Sequence, residues 1–245
     1  MRHSALAALA PSLWSSLVLA LGSGLGFGCA GDAPPNPNPG TIDAPPNVTP
    51  DAPSPDAAKT TFSFFITSTG GPNGGNLGGL VGADEICRTK AVAALPEAST
   101  RTWRAYLSTD AENAKDRIGA GPWFNRAGVM VASSVANLHD AAANMLTKAS
   151  STDETGAVVN GSGDNPNQHD ILTGSTVAGV SSGNHCANWT SAVATGVTAQ
   201  VGHHDRIGGG ANPTSWNAAH ATSGCSAAAF AGSGGRGSFY CFASD

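Results

Sequence analysis

Histidines, glycine-framed serines and five cysteines are the residues of this chain whose types and spacing bear on chemistry. His203-His204-Asp205, with His185 and His220 elsewhere, offers imidazole nitrogens and a carboxylate, the donors that zinc accepts. Adjacent side chains on a strand point to opposite faces, so a neighbouring His pair rarely serves one metal. These histidines are therefore expected in solvent-exposed loops, and no metal ligand set is assigned. Gly179-Val180-Ser181-Ser182-Gly183 matches the nucleophile-elbow pattern, which needs a strand before it and a helix after it. Asn184-His185-Cys186 follows instead, and in a Gly/Ser-rich stretch the pattern arises from composition. Gly232-Ser233-Gly234-Gly235-Arg236-Gly237 matches a dinucleotide fingerprint but lies too close to the final strand for a helix to follow, so it reads as a loop. Asp153 and Glu154 are adjacent, and nothing in the sequence sets a second carboxylate opposite them for general acid/base work. The expectation is a non-catalytic chain without a cofactor.

The elements that must position these residues are legible in part. Phe62, Phe64 and Ile66 alternate as on a half-buried strand. Residues 81–94 read as a helix, with Ile86, Cys87, Ala91 and Ala94 on one face. Trp103, Ala105 and Leu107 alternate in a second strand, and Thr109-Asp110-Ala111-Glu112 has capping-box spacing for a short helix towards Ile118. Residues 129–131 and 239–242 are further strand candidates. After Ser150 the chain is mostly Gly, Ser, Asn and Thr. Early helices and loop-rich late strands predict an α+β domain over 60–245.

Composition narrows the class. Charged residues make up 12%, about half the usual quarter, and the 12 Lys and Arg are outnumbered by 17 Asp and Glu. The basic face that nucleic-acid binding requires is missing from this pattern. Arg2 precedes an uncharged run from Ser4 to Gly31 with the apolar core Leu17-Val18-Leu19-Ala20-Leu21 and small residues after it, the plan of a secretory signal over 1–28. The zone ends Leu25-Gly26-Phe27-Gly28-Cys29, which resembles a bacterial lipobox with its Leu one place further out than usual; Cys29 is the expected lipidation site. Residues 29–59 form the lipidated start and a Pro-rich linker. Between Asp32 and Ala58 there are nine prolines and four aspartates and almost nothing to bury, so the stretch is expected to stay extended. Setting Cys29 aside leaves Cys87, Cys186, Cys225 and Cys241, an even number in an exported chain. Two disulfides are expected, and the sequence allows three pairings.

The order of several segments carries a resemblance. Ile86-Cys87-Arg88-Thr89-Lys90-Ala91 is followed by Trp103-Arg104-Ala105-Tyr106-Leu107-Ser108 and Ile171-Leu172-Thr173-Gly174-Ser175. Then come Cys186-Ala187-Asn188-Trp189-Thr190, Cys225 and Phe239-Tyr240-Cys241-Phe242. This set resembles the endostatin domain of certain collagens, which has a C-type-lectin-like fold. It is closer still to bacterial lipoprotein domains of that superfamily, with a Gly75–Leu80 segment ahead of the helix. The resemblance implies two helices on irregular antiparallel strands, a loop-rich second half, and the pairs Cys87–Cys241 and Cys186–Cys225. Calcium-dependent C-type lectins use Glu-Pro-Asn and Trp-Asn-Asp triplets. Here Asn165-Pro166-Asn167 and Trp216-Asn217-Ala218 stand in similar places without the two carboxylates, so a calcium site is not expected. Asp164 and Asp170 lie nearby as loop carboxylates. Neither the zinc site of endostatin nor its arginine clusters can be matched.

Trp103 and Trp189 read as core. Trp123 and Trp216, set among Gly, Pro and Asn, are the candidates for exposure and for stacking on a ligand. The candidate ligand-binding set is Trp123, Trp216, Asn217, Asp164 and Asp170. The function expected is display of a non-catalytic binding or adhesion domain on the bacterial envelope, outer membrane or cell surface, held by an N-terminal lipid. Its partner would be an extracellular protein or a glycan, and its oligomeric state is not legible. A structural envelope lipoprotein without a dedicated ligand is the alternative, and a hydrolase the least supported.

Overall fold

A computed structural model describes residues 61–245. The signal peptide, Cys29 and linker expected over 1–59 lie outside the described residues.

The organising element is the last strand, β8 (Gly235–Ala243). Its sequence alternates so that Phe239, Cys241 and Ala243 enter one core and Tyr240 and Phe242 another. Period-2 geometry makes this partition, and aromatic residues favour the strand. The strand β1 (Phe64–Ile66) pairs antiparallel with β8 at Phe64–Phe242, Phe65–Cys241 and Ile66–Tyr240. It too divides, with Phe65 on the first core and Phe64 and Ile66 on the second. The half-buried strand read from Phe62, Phe64 and Ile66 is thus buried on both faces.

The strand β2 (Trp103–Ala105) also pairs antiparallel with β8. The strand β5 (Asp170–Leu172) runs parallel to it and antiparallel to β6 (Gln200–His203), and β6 pairs with β7 (His220–Ala221). The sheet is therefore mixed, which corrects the antiparallel expectation. A separate two-stranded ribbon joins β3 (Trp123–Phe124) to β4 (Met130–Ala132).

The helix α1 (Gly79–Ala94) packs on the first core through Ala83, Cys87 and Ala91, a stripe at i, i+4 and i+8. Small side chains allow close approach, and Cys87 reaches Cys241 on β8. The helix ends where Pro96 disfavours helical backbone at Leu95, which is extended. The second helix expected shrinks to one turn, α2 (Ala114–Arg117). Thr109 Oγ1 accepts from the Ala111 and Glu112 amides, but it closes a turn ahead of that helix. Short helices α3 (Val135–His139) and α4 (Ala227–Ser233) are capped by Ser134 and Ser226.

The second disulfide joins Cys186 to Cys225, so both implied pairs are present. Cys186 opens a turn, Cys186–Trp189, whose four residues all have φ between 49° and 64°. Non-glycine residues rarely adopt this left-handed backbone. The turn is fixed by the disulfide, by burial of Trp189, and by Asn188, whose amide donates to His185 Nδ1.

Candidate functional site

Sheet register builds a polar cluster at the edge of the first core. Leu172 faces Val201 across β5 and β6, and both are core residues. One step along the same face, Asp170 stands opposite His203. His220 on β7 stands opposite Val201, and His169 immediately precedes β5. Three imidazoles thus surround one carboxylate. The Nε2 atoms of His169, His203 and His220 lie 3.3, 3.3 and 3.4 Å from Asp170 Oδ1. Asp170 and His203 are 2% and 1% exposed, and the His220 side chain 25%. The His169 ring stacks on His203 with centroids 4.2 Å apart, and His220 meets His203 edge-on at 5.1 Å.

The opposite ring nitrogens are all spent on acceptors. His203 Nδ1 donates to the Pro213 carbonyl at 2.8 Å and His220 Nδ1 to the Ala221 carbonyl at 3.2 Å. His169 Nδ1 faces the Ile207 carbonyl at 3.1 Å and Asp205 Oδ1 at 3.4 Å. Asp205 is held in turn by the Ser162 and Ile207 amides. Burial pushes the Asp170 carboxyl up, yet the imidazoles around it hold it down to about 2. Burial likewise opposes ionisation of Asp205, while His169 and the two amides keep it well below the usual carboxylate range. Burial pulls His169 down, and Asp205 and Asp170 together carry it above its ordinary value; Asp170 raises His220 against its burial.

Two glycines leave room for the rings. A Cβ on Gly208 would stand 2.8 Å from His203 Cε1 and 2.9 Å from His169 Cε1, and one on Gly234 3.2 Å from His169 Nε2. Both backbones have positive φ, which glycine adopts freely.

The chain between His203 and His220 walls a neighbouring cavity of about 320 Å³, bordered by His139, Val177, Arg206, Pro213, Trp216 and Asn217. Arg206 has a left-handed φ of 60° and donates to the Ala141 and Thr214 carbonyls and to Asn144 Oδ1. At the floor, His139 Nδ1 donates to the Val135 carbonyl, so its Nε2 accepts from the Tyr106 hydroxyl at 2.7 Å. Tyr106 accepts in turn from Asn217 Nδ2 at 3.0 Å. Burial lowers His139, and it pushes the Tyr106 hydroxyl well above its ordinary value. A larger hollow of about 470 Å³ borders Asp84, but that carboxylate is occupied by Arg104, Arg117 and the Ala105 amide.

Several sequence expectations need correction. Trp123 and Trp216 are not exposed: Trp123 donates to the Ala243 carbonyl and packs on Phe242, and Trp216 packs on Tyr106 and Tyr240. Asn217 is buried, so it and Trp216 support the cavity from within. Asp170 is no solvated loop carboxylate. Asp164 remains at the surface, paired with Lys148, which lowers its pKa. His185, His203 and His204 are buried, not solvent-exposed. The opposite-face rule holds for the adjacent pair, since His203 faces Asp170 while His204 Nε2 meets the Asn160 carbonyl. Glu154 is buried as well, accepting from Ser68 and Lys90. Ser181 lies in a loop bridged to Ser175, without a following helix.

Sequence reasoning missed His169 and grouped Asp205, rather than Asp170, with the histidines; Asp205 contacts His169 from behind. The available signal was alternation, which puts Asp170 with Leu172 and His203 with Val201. The register that brings those pairs together was not readable. No family model matches the chain, and no curated protein matches it.

Proposed function

We propose that this chain is an exported envelope lipoprotein whose 60–245 domain is a non-catalytic binding module of endostatin-like, C-type-lectin-like architecture. The observation that carries the reading is the pair of buried disulfides, Cys87–Cys241 and Cys186–Cys225, which belong to an oxidising compartment. They agree with an apolar leader ending at Cys29 and with a Pro-rich stalk that would hold the domain away from the membrane. The recognition surface in this reading is the cavity walled by residues 206–217, since loops set on a rigid sheet commonly carry binding. The partner is an extracellular protein or a glycan.

The test is an array of glycans and matrix proteins probed with the purified full chain and with Val177→Asp. Val177 is exposed at the cavity rim, so the charge should abolish capture without unfolding the domain. No capture by the wild type, or equal capture by both, overturns the binding reading. Mass spectrometry of the mature N-terminus tests export separately. A lipidated Cys29 is expected, and an unprocessed chain refutes it.

A further inference from the structure

We propose that His169, Asp170, His203 and His220 bind one divalent transition-metal ion of the zinc class. Each imidazole directs its Nδ1 hydrogen at a carbonyl or carboxylate, so each ring, when neutral, turns a lone pair on Nε2 towards Asp170. Asp170 offers only lone pairs in return. Among the described residues, Asp170 Oδ1, Asp170 Oδ2 and His203 Nε2 are buried without a hydrogen-bond partner. Unpaired buried acceptors are costly, and here they face one another. Supplying a proton at every Nε2 would instead set three imidazolium charges against the Asp170 and Asp205 carboxylates, a net positive charge in a largely buried cluster. A single divalent cation meets the His169, Asp170 and His203 atoms at once, with His220 as the ligand that turns in to close the site. With the Asp170 and Asp205 carboxylates, it leaves the cluster electrically neutral.

The spacing fits such an ion. Tetrahedral ligands at the 2.0–2.1 Å of zinc–nitrogen bonds stand about 3.3–3.4 Å from one another. The three Nε2–Oδ1 separations are 3.3, 3.3 and 3.4 Å. The ligand atoms of His169, Asp170 and His203 all fall within 4.8 Å of one another; His220, 3.4 Å from Asp170 Oδ1, lies outside that group and completes the four by turning its ring in. Calcium is excluded by the donor set, since it takes six to eight oxygens. The outer contacts are those of a metal centre: the other ring nitrogen of each ligand histidine is held, and Asp205 stands behind His169. Four protein ligands close a tetrahedral site, which makes the ion structural. It joins β5, β6 and β7 and pins both ends of the 204–219 excursion. The ion would be held whether or not the neighbouring cavity takes a ligand.

The test uses the purified full chain, stripped with a chelator and titrated separately with zinc, cobalt(II) and calcium. One equivalent of zinc should bind with a saturable rise in melting temperature. Cobalt should give the intense visible absorption of four-coordinate geometry, and calcium should do nothing. His220, the most exposed ligand, is the variant least exposed to folding failure. His220→Ala should keep the far-UV spectrum and weaken zinc by more than about 100-fold, beyond the 10–100-fold typical of an outer-contact loss. Asp205→Asn should weaken it by about 10–100-fold with the cobalt spectrum retained. Failure of the wild type to take up zinc overturns the proposal. So does unchanged zinc affinity in His220→Ala, which would place the ion on other residues, or a calcium response equal to that of zinc.

Discussion

Replacing Tyr106 with Phe removes one buried oxygen behind the cavity-lining His139 and Asn217 and leaves the ring. The hydroxyl donates to His139 Nε2 at 2.7 Å and accepts from Asn217 Nδ2 at 3.0 Å. Asn217 Nδ2 keeps the Thr176 and Val177 carbonyls, so its amide stays satisfied. The group left without a donor is His139 Nε2, which is partly buried. A lost hydrogen bond plus part of an unsatisfied-acceptor penalty comes to about 1–2 kcal/mol at pH 7.5.

The loss should depend on pH. Burial holds His139 below its ordinary value, so the native state prefers the neutral ring. That contribution is present above the unfolded value of about 6.5 and is lost as pH falls. The Tyr106 hydroxyl stabilises the same neutral ring. Without it, His139 should titrate higher in the native state, and the variant should lose less on acidification. The difference between the proteins therefore narrows from pH 7.5 to pH 5, by up to about 1.4 kcal/mol per unit of difference in pKa. The cluster of His169, His203 and His220 is common to both proteins and cancels in the comparison. Urea unfolding followed by Trp fluorescence at pH 7.5, 6 and 5 measures the difference, and His Cε1–H resonances report the titration. A pH-independent difference, or a His139 that titrates lower in Tyr106→Phe, refutes the reasoning.

The remaining outcomes concern the disulfides, one buried ion pair and one left-handed residue. In the loop-closure model, Cys87→Ala with Cys241→Ala should cost about 5 kcal/mol and Cys186→Ala with Cys225→Ala about 4, from separations of 154 and 39 residues; denaturant midpoints would show the order. Asp84→Ala should cost about 2–4 kcal/mol in urea unfolding, because it leaves the Arg117 guanidinium, whose side chain is 4% exposed, to the half-exposed Glu112 carboxylate at 3.2 Å. Arg104→Ala on the same carboxylate should cost less than about 1 kcal/mol, since Arg104 is 43% exposed. Ala187→Gly should be neutral or stabilising by up to about 1 kcal/mol in thermal unfolding, because relief of left-handed strain at φ 51° and ψ 58° offsets the entropy that glycine adds to the unfolded chain.

The elements governed by short-range pattern could be read from the sequence. Helix α1 was legible because Cys87 and Ala91 repeat at helical spacing. The strands at 103–105 and 239–242 were legible because alternation and aromatic content are local properties. Both disulfide pairs followed from the order of segments and the resemblance it carries. Burial on the second face of β1 was not legible, because what covers Phe64 and Ile66 comes from Tyr106, Trp123 and Trp216 in distant parts of the chain. For the same reason Trp123 and Trp216 passed for surface residues: polar neighbours in sequence say nothing about which side chains close over an indole in space. The histidine–carboxylate cluster lay furthest from reach. His169 and Asp170 are separated from His203 and His220 by a Gly-, Ser- and Thr-rich stretch with little periodicity. Only the pairing of β5, β6 and β7 brings their nitrogens and oxygen to a common point. Register is set by the packing of Leu172 and Val201 into the first core, a long-range contact that local propensity does not encode.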